Sequence, residues 1–384
     1  MMKKICFITT ISTTLTSFVL DTANHLHKSG KYDITFICND NERFRKSLPQ
    51  HINFIPVEMS RGIDLSDIKA IFKLAKVFKR EKFDYIQYST PNAAFFSSIA
   101  GKLVGAKPRV YGQWGLRYVG ESGLKRVFLK FLEKLTCTMS THIRSVSHKN
   151  MDFAISERLY KKNKVKVIGN GGTIGVDMGV FDITKKDIYR EEIYNQYNIS
   201  SNEFVFGFVG RMSRDKGSGE LLMSFKSLID KGYQIRMFIV GDIEDINPID
   251  NELIKWARES TYVIFTGRID GKELCKYYAA FDCYVHPTYR EGFGMVLQEA
   301  GAMGNAIITT DIPGASEVME KDVSCKLVKA RDWEALESEM EYLINNPDDT
   351  DKLGRMAYER TCKLYERSIM LGNIQEDIEN ILGE

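Results

Sequence analysis

The stretch CYVHPTYREGFGMVLQEAGAMGNAIITT, residues 283–310, contains the alternation that decides the fold. CYVHP and AIITT are short apolar runs typical of buried strands. Between them a glycine-rich turn, EGFG, precedes a helix that is predicted to begin near Met295. A strand, a helix and a second strand in this order form the unit of a parallel sheet. Two carboxylates, Glu291 and Glu299, bracket the turn and the start of the helix.

The same alternation runs through the whole chain. The predicted strands are 4–9, 32–38, 53–57, 85–89, 109–113, 141–146, 164–169, 204–210, 236–241, 263–267, 283–287 and 306–310, and helical patterns such as 65–82 and 124–137 lie between them. Strands that are apolar along their whole length indicate a parallel sheet covered by helices on both faces. We therefore predict an α/β protein with two doubly wound, Rossmann-like domains facing a cleft, where ligands bind outside the carboxyl ends of the strands.

The length of the chain also favours two domains, because 384 residues are too many for one ordinary core. We predict a first domain at 1–185, a second at 186–365, and a C-terminal helix at 366–384 that packs back on the first domain. A composition of 43% hydrophobic and 27% charged residues is typical of a soluble globular protein. No apolar run reaches the roughly 18 residues of a membrane-spanning helix.

The N-terminal segment can be interpreted either as a signal peptide or as a first strand and helix. The segment 1–20 has two lysines and then an apolar run, but threonines interrupt the run, so we favour a first strand and helix over a signal peptide.

The seven cysteines show no CxxC spacing, and their number is odd. They are predicted to be small core residues in a reducing compartment rather than metal ligands.

The charge is distributed unevenly along the chain. Residues 1–185 hold 30 Lys and Arg against 15 Asp and Glu, a formal charge of +15, whereas residues 186–384 hold 23 against 36, a formal charge of −13. The two halves are therefore expected to meet different partners. Nucleic acid is not an expected partner, since the basic half lacks a basic-aromatic motif and the second half is acidic.

A turn with cations follows the first predicted strand of the second half. In GRMSRDKGSGELL, residues 210–222, Arg211 and Lys216 flank a strand-to-helix turn, and two glycines allow backbone to approach a ligand closely. A helix N-terminus with free N–H groups, a guanidinium and an ammonium together favour binding of a diphosphate. A nicotinamide dehydrogenase is disfavoured because neither this turn nor TTISTTLTS (9–17) has the GxGxxG spacing.

The spacing of the two glutamates argues against a shared catalytic proton. Helical spacing would separate Glu291 from Glu299 by roughly 12 Å, at about 1.5 Å per residue. This is too far for a carboxylate pair that flanks one glycosidic bond. A carboxylate can accept hydrogen bonds from paired ring hydroxyls, so we interpret the glutamates as two contacts to one extended ligand.

The chain resembles the retaining glycosyltransferases of family 4, which have the two-domain GT-B architecture. The motifs that carry the resemblance are FVGRMSRDKG (208–217), FDCYVHPTYREGFGMVLQEAGAMGNAIITTD (281–311) and IGNGGTIGVDMGVF (168–181). The likeness is tighter over 204–320 than in the first half. It implies a metal-independent enzyme without a cofactor that moves a sugar from a nucleotide-sugar, with UDP favoured by family frequency. It also implies retention by front-face attack.

Carried over by position, the resemblance implies roles for residues of the second half. Arg211 and Lys216 would bind the donor diphosphate, Glu291 would contact the transferred sugar, and Glu299 would hold the ribose. The remaining expected donor contacts are Gly210, Arg268 and Ile269 near the base, and Phe293, Gly294, Met295 and Val296 at the turn.

The first half departs from the family pattern. A histidine is expected before a glycine at one strand end, but this chain has Gln113 and Trp114 in YGQWGLRY (111–118). In place of the usual glycine pair after the first strand it has ISTTLT (11–16), where Thr13 and Thr14 offer hydroxyls or backbone N–H groups. The run GLRY is similar to polysaccharide-assembly members, which makes Arg117 a candidate contact to the acceptor. His286 is interpreted as structural.

The acceptor side is predicted to be basic and amphipathic. GLKRVFLKFLEKLTC (123–137) and IKAIFKLAKVFKREKF (68–83) place cations beside apolar residues. This pattern is typical either of a helix packed on a sheet or of one that binds a membrane surface. With the charge of +15, we expect binding to an anionic membrane. The expected acceptor is a lipid-linked or oligosaccharide glycan. The expected location is the cytoplasm, peripheral at the inner face of the plasma membrane.

Two further functions stay open at this point. A GT-B nucleotide-sugar epimerase shares the architecture, but the Arg–Lys pair and the two spaced glutamates argue against it. A non-catalytic sugar-nucleotide-binding subunit is the other alternative, and the charged residues at all four positions argue against it.

Overall fold

The computed structural model describes residues 2–60, 67–244, 250–269 and 271–383. It divides into two compact units: unit 1 comprises Met1–Ile174 and Ser368–Glu384, and unit 2 comprises Gly175–Arg367. The predicted boundary after residue 185 thus lies inside unit 2. The segment before it belongs there because Val176 pairs with Glu366 and the ring of Phe181 packs edge-on against Tyr278 at 5.8 Å.

Each unit contains a parallel sheet. In unit 1 the described strands are β1 Lys3–Ile8, β2 Tyr32–Cys38, β3 Ile52–Pro56, β4 Tyr85–Ser89, β5 Arg109–Gln113, β6 His142–Ser145 and β7 Val165–Val167. In unit 2 they are β8 Phe204–Val209, β9 Ile235–Val240, β10 Val263–Gly267, β11 Cys283–His286, β12 Ala306–Thr310 and β13 Lys326–Val328. The orders are β3-β2-β1-β4-β5-β6-β7 and β10-β9-β8-β11-β12-β13.

Helices connect the strands. They are α1 Ser12–Phe18, α2 Leu20–Lys28, α3 Glu42–Ser47, α4 Asp67–Glu81, α5 Pro91–Leu103, α6 Gly123–Met139, α7 His148–Ser156, α8 Lys186–Tyr197, α9 Ser218–Asp230, α10 Asn251–Glu259, α11 Leu274–Ala280, α12 Met295–Ala302, α13 Trp333–Asn345, α14 Pro347–Tyr365 and α15 Arg367–Leu382. Short 3₁₀ turns lie at Arg117–Gly120, Lys162–Lys164, Ile183–Lys185, Arg214–Lys216 and Gly271–Glu273.

Two hydrophobic clusters cover the two faces of the unit 1 sheet. One contains residues of α4, α5, α6 and α7, such as Leu74, Phe96 and Cys137. The other contains residues of α1, α2 and α3 together with Ile374 and Ile378 of α15. Strands covered on both faces are apolar at nearly every position, which is why single apolar runs predicted them well.

The unit 2 sheet has a switch in strand order at its centre. From β8 the chain builds outward through β9 and β10, and it then returns to place β11 on the other side of β8. The loops after β8 and β11 therefore lie side by side at the carboxyl ends of these strands, the position at which doubly wound sheets bind ligands. This position was predicted for Arg211, Lys216 and Glu291.

The predicted α/β fold with two Rossmann-like sheets is confirmed. The twelve predicted strands match β1 to β12 to within about one or two residues, as boundaries usually do. β13 was missed because KLV is a three-residue edge segment without an apolar run. Among the described helices, none is both long and apolar enough to cross a membrane.

Candidate active site

The turn between β8 and α9 is held against the strand end of β11. Gly217 has φ +68° and precedes Ser218, the first residue of α9. A Cβ at this glycine would lie 1.9 Å from the carbonyl oxygen of Pro287. Only a glycine combines this left-handed conformation with so close an approach.

Hydrogen bonds join the two loops at the same place. The backbone N–H of Tyr289 donates to the carbonyl of Asp215 at 2.8 Å, and the hydroxyl of Thr288 donates to the same oxygen at 3.2 Å. The Asp215 carboxylate accepts from Ser213 Oγ at 2.7 Å and faces Arg290 at 3.5 Å. The loops after β8 and β11 therefore form one rigid surface.

A third loop supports the segment of Glu291 from behind. Gly314 has φ +86°, and a Cβ there would lie 2.4 Å from the carbonyl oxygen of Gly292 and 2.5 Å from that of Glu291. The N–H of Gly294 also donates to the carbonyl of Gly314 at 3.4 Å. This close packing of backbone on backbone fixes the position of the Glu291 backbone, from which its side chain projects.

Lys216 and Glu291 form an ion pair on this surface. Lys216 Nζ lies 2.8 Å from Glu291 Oε2, and their side chains are 19% and 18% exposed. The pair is thus mostly withdrawn from water and can still be reached by a ligand. Its charges attract more strongly than those of a fully exposed pair, because fewer water molecules screen them.

His286 connects this pair to the sheet. Its Nε2 lies 3.2 Å from Glu291 Oε2, and its Nδ1 lies 3.3 Å from the hydroxyl of Tyr284. Because the carboxylate accepts only, Nε2 of the neutral imidazole carries the proton, and Nδ1 faces the Tyr284 hydroxyl, which also donates to the Val209 carbonyl at 3.3 Å. His286 is almost fully buried at the end of β11, so it positions Glu291 while presenting little surface to a ligand.

The charge state of Glu291 follows from these neighbours. Burial alone would raise the pKa of this carboxyl, but the Lys216 ammonium and the hydrogen bond from His286 outweigh burial and hold the pKa well below its usual range. Burial lowers the pKa of His286, although its hydrogen bond to Glu291 opposes the shift. At neutral pH the site therefore holds a carboxylate, an ammonium and a neutral imidazole.

Glu299 occupies a different environment, inside α12. The hydroxyl of Tyr278 on α11 donates to Glu299 Oε2 at 2.9 Å and also approaches the Val296 carbonyl at 3.3 Å. Burial raises the pKa of Glu299, while the tyrosine hydrogen bond and the charge of Arg367 oppose the rise. The structure therefore separates the two glutamates into different networks, as expected for two contacts rather than one pair.

The other predicted donor residues line the ends of the strands in unit 2. Gly210 and Arg211 directly follow β8, and the half-exposed Arg211 side chain forms an ion pair with Glu244 rather than with Glu291. Arg268, exposed, and Ile269, partly buried, follow β10. Phe293, Gly294, Met295 and Val296 form the turn and the first residues of α12, and the Phe293 ring packs inward against Tyr365 at 5.6 Å.

The candidate residues of unit 1 do not form one cluster. Thr13, exposed, and Thr14, partly buried, lie in the first turn of α1. The half-buried Trp114 follows β5 and packs against Phe18 at 5.4 Å, lining a cavity of about 40 Å³. Arg117 begins the 3₁₀ turn that precedes α6 and is exposed at the mouth of a larger cavity of about 260 Å³.

Gln113 belongs to an internal network. Its Nε2 donates to Glu133 at 2.6 Å, and its Oε1 accepts from the Tyr160 hydroxyl at 2.8 Å. Tyr111 donates to the same carboxylate at 3.0 Å. Burial raises the pKa of Glu133 to about 7 against the effect of these two hydrogen bonds. Gln113, at the position where the family pattern has a histidine, therefore uses its polar atoms within the protein.

The two amphipathic helices of unit 1 expose apolar side chains. On α6 the exposed fractions are 89% for Leu124, 65% for Val127, 50% for Phe128 and 61% for Phe131, and on α4 they are 50% for Ile68 and 65% for Phe72. The alternative interpretation requires the apolar stripe of α6 to be buried against the sheet. These apolar side chains are instead exposed.

In the described ranges, no group of three or more His, Cys, Asp or Glu side chains is arranged to hold a metal ion. All seven cysteines are free, and six of them are buried, as predicted for core residues.

Sequence reasoning missed the residues that position the glutamates. No sequence motif marks Tyr278, Tyr284 or Asp215, because their contacts depend on which strands become neighbours in the folded sheet. His286 was interpreted as structural. Its position at the end of a strand that leads to Glu291 was the sequence signal for its contact with this glutamate.

Comparison with known proteins identifies the family. Residues 189–360 match the family model described as glycosyl transferases group 1, and residues 4–147 match the model described as glycosyl transferase 4-like. Together the two matches span most of the chain. The chain belongs to the GT4-type glycosyltransferases of GT-B fold.

Individual relatives of this glycosyltransferase agree with that placement. It is 28% identical over 353 residues to the capsular polysaccharide biosynthesis glycosyltransferase CapM of Staphylococcus aureus, covering 92% of this chain and 91% of the relative. It is 25% identical over 329 residues to the UDP-Gal:alpha-D-GlcNAc-diphosphoundecaprenol alpha-1,3-galactosyltransferase of Escherichia coli, covering 83% and 81%. A solved glycosyltransferase structure from Rickettsia africae ESF-5 superposes with a TM-score of 0.80 at 20% identity over 99% of both chains.

Proposed function

We propose that this glycosyltransferase transfers a sugar from a UDP-sugar to a lipid-linked glycan acceptor in cell-surface polysaccharide biosynthesis, with retention of configuration and without a metal ion. The observation that carries the proposal is the Lys216–Glu291 ion pair, held at the switch point of the unit 2 sheet. Support for the donor and acceptor classes comes from the two relatives named above, one of which acts with UDP-Gal on a diphosphoundecaprenol-linked sugar.

The ion pair suits a nucleotide-sugar because it offers both charges to one ligand. Lys216 Nζ supplies a cation for the diphosphate, and Glu291 accepts hydrogen bonds from hydroxyls of the transferred sugar. α12 begins at Met295, and the positive end of its helix dipole favours an anion there. Arg211 contributes a second cation once it leaves Glu244, an exchange that costs little at an exposed pair.

The reaction follows from where charge develops. The bond between C1 of the sugar and the diphosphate oxygen breaks, and its electron pair stays on the phosphate. The acceptor hydroxyl forms a new bond to C1 on the same face, and its proton passes to the departing phosphate oxygen. Preorganised cations stabilise that oxygen most in the transition state, which lowers the barrier.

The acceptor is assigned to unit 1 on chemical grounds. An anionic membrane surface attracts the basic half of the chain, and the exposed apolar side chains of α4 and α6 insert at the interface. The proposal therefore includes a peripheral location at the cytoplasmic face of the membrane, beside the lipid-linked acceptor.

Activity assays with a donor panel test the proposal. Purified enzyme is incubated with UDP-, GDP- and dTDP-sugars and a diphosphate-linked acceptor, with and without EDTA, and products are analysed by mass spectrometry and NMR. We expect a UDP-sugar to be used, the anomeric configuration to be retained, and EDTA to have no effect. An inverted product or loss of activity in EDTA would contradict the mechanism, and interconversion of free UDP-sugars would indicate the epimerase.

Vesicle sedimentation tests the membrane part separately. We expect binding to vesicles with anionic lipid at low salt and weaker binding to neutral vesicles, and Phe131→Ser on α6 should reduce both. No preference for anionic vesicles would contradict the assignment without affecting the donor site.

A further inference from the structure

A cavity of about 260 Å³ lies between α5 and α6, bounded by the 3₁₀ turn Arg117–Gly120. We call it the α5–α6 cavity. Its lining includes the apolar Phe95, Phe128, Leu129 and Leu132, the cations Arg117 and Lys125, and several polar groups, among them the buried Glu133 carboxyl. It lies wholly within unit 1, outside the donor site described above.

The apolar walls come from the two helices, and the charge lies at the mouth. Leu129 and Leu132 are one turn apart on α6 and are partly buried, facing α5. Arg117 and Lys125 are exposed at the edge of the cavity. The Glu133 carboxylate is already engaged by the hydrogen bonds from Tyr111 and Gln113. A mainly apolar lining with two exposed cations complements an amphiphile that has a hydrocarbon chain and an anionic head.

The cavity opens onto the exposed apolar surface of α6. Phe128 lines the cavity and is nevertheless 50% exposed, and Leu124 and Phe131 on the same helix are still more exposed. A chain that leaves the cavity therefore continues along an apolar surface instead of meeting water. This continuity favours a long hydrocarbon chain over a small apolar molecule.

The cations at the mouth can exchange their partners cheaply. Lys125 Nζ pairs with Glu121 at 2.9 Å, one turn away on the surface, and the Lys125 side chain is 63% exposed. Exposed pairs of this kind add little to stability, so a polyanionic head can replace the carboxylate. Two cations match a diphosphate better than a singly charged phosphodiester.

We propose that the α5–α6 cavity binds the first isoprenoid units of a polyprenyl diphosphate, with Arg117 and Lys125 against its diphosphate. The inference rests on the proposed function and names the part of the acceptor that unit 1 recognises. The volume is slightly below the about 300–1,000 Å³ of pockets for drug-sized ligands, so it takes the head-proximal part of the chain and leaves the rest to the membrane.

Binding of farnesyl diphosphate to the full chain, measured by calorimetry, tests the inference without requiring turnover. Leu132→Trp fills the cavity, and we expect it to weaken binding about tenfold or more. Lys125→Ala, a surface change that leaves the fold intact, should weaken binding several-fold. The matched controls are Lys134→Ala on the same helix and Leu103→Ala at the end of α5, exposed residues that do not line the cavity, which should change binding less than twofold.

The comparison ligands separate the possible occupants. Inorganic diphosphate should bind far more weakly than farnesyl diphosphate, because it lacks the chain. A lysophosphatidic acid of similar chain length that binds equally well would overturn the isoprenoid assignment in favour of membrane lipid, and equal losses in the control variants would overturn the site. UDP-sugar binding is measured in the same preparations as a separate test of the proposed function. If the protein binds farnesyl diphosphate but no UDP-sugar, the proposed function is contradicted and the assignment of the α5–α6 cavity is not.

Discussion

Lys216 Nζ and Glu291 Oε2 lie 2.8 Å apart although 75 residues separate them in the chain. They meet because β8 and β11 are neighbours in the sheet, and each residue lies in the loop that follows one of these strands. The hydrogen bond from His286 to the same carboxylate oxygen fixes Glu291 from the strand side. A ligand at this position meets a cation and an anion whose separation is set before it arrives.

Lys216→Ala should abolish most of the transferase activity while the protein stays folded. The change removes a cation from the site, and loss of one preorganised group that stabilises developing charge typically costs about 100-fold or more in kcat. Steady-state kinetics and thermal unfolding measure the two effects. Lys226→Ala is the matched control, since Lys226 lies on α9 in an exposed pair with Asp230; if it lowers kcat equally, the role of Lys216 is refuted.

Glu291→Gln should destabilise the protein in a pH-dependent way. The folded pKa of Glu291 is depressed, so its charge stabilises the folded state above the unfolded pKa of about 4.3. This stabilisation is lost as the pH falls through the lower, folded pKa. The difference in the free energy of unfolding between wild type and variant should therefore be largest near neutral pH and shrink below about pH 4. Urea titrations across this range measure it, and a constant difference would show that the ion pair contributes nothing.

How much of this site was predictable depends on the range of the interactions. Arg211, Lys216, Glu291 and Glu299 were chosen because each lies near a predicted strand end or helix start, which are local features. Their partners Tyr278 and Glu244 depend on contacts between segments 21 and 33 residues apart, whereas His286 lies only five residues before Glu291. Arg211 was expected beside Lys216 at the phosphates, yet it forms an ion pair with Glu244, and no local pattern distinguishes the two arrangements.

The fold was more predictable than its boundaries. Strands such as β2 and β12 are continuous apolar runs because helices cover both faces of each sheet. The segment that contains Val176 and Phe181 gives no local signal for a boundary, because its attachment to unit 2 depends on contacts with residues more than 90 positions away.

Gly217→Ala should disturb the site more than an ordinary substitution of a left-handed glycine. Gly217 and Gly232 both have positive φ, but a Cβ at Gly217 meets the Pro287 carbonyl at 1.9 Å, whereas at Gly232 nothing lies within 4 Å. Gly232→Ala therefore measures backbone strain alone, on the order of 1 kcal/mol. Gly217→Ala should cost clearly more and lower kcat, because it pushes the β8 and β11 loops apart. Equal losses in thermal unfolding would contradict the close contact.

Tyr278→Phe should weaken binding of the nucleoside part of the donor. The change removes the hydroxyl that donates to Glu299 Oε2, so the carboxylate loses a partner that keeps it ionised and oriented. If Glu299 holds the ribose, the KM for the donor should rise several-fold with kcat nearly unchanged, and UDP should bind more weakly in calorimetry. Tyr277→Phe on the same helix is the control, since Tyr277 bonds to Tyr197 instead; equal effects would assign Tyr278 to stability only.

Glu133→Gln should stabilise the protein increasingly as the pH rises. Burial raises the folded pKa of Glu133 to about 7, so the folded state binds this proton more tightly than the unfolded chain does. The wild type therefore loses stability as the pH rises from about 4.3 to about 7, by a few kcal/mol at about 1.4 kcal/mol per pKa unit. A glutamine keeps the oxygen that accepts from Gln113 and Tyr111 but carries no charge.

The pH dependence of Glu133→Gln separates charge from packing. Loss of a hydrogen bond or a poor fit of the amide would destabilise the variant by the same amount at every pH. The burial of an ionised carboxylate predicts instead that the stability of the variant relative to wild type rises between about pH 4.3 and 7 and is constant above that range. Glu337→Gln, at a carboxylate equally shielded from solvent but paired with Lys231, should become less stable relative to wild type at neutral pH. A wild-type stability that is flat over this range would show that Glu133 is ionised in the folded protein at low pH.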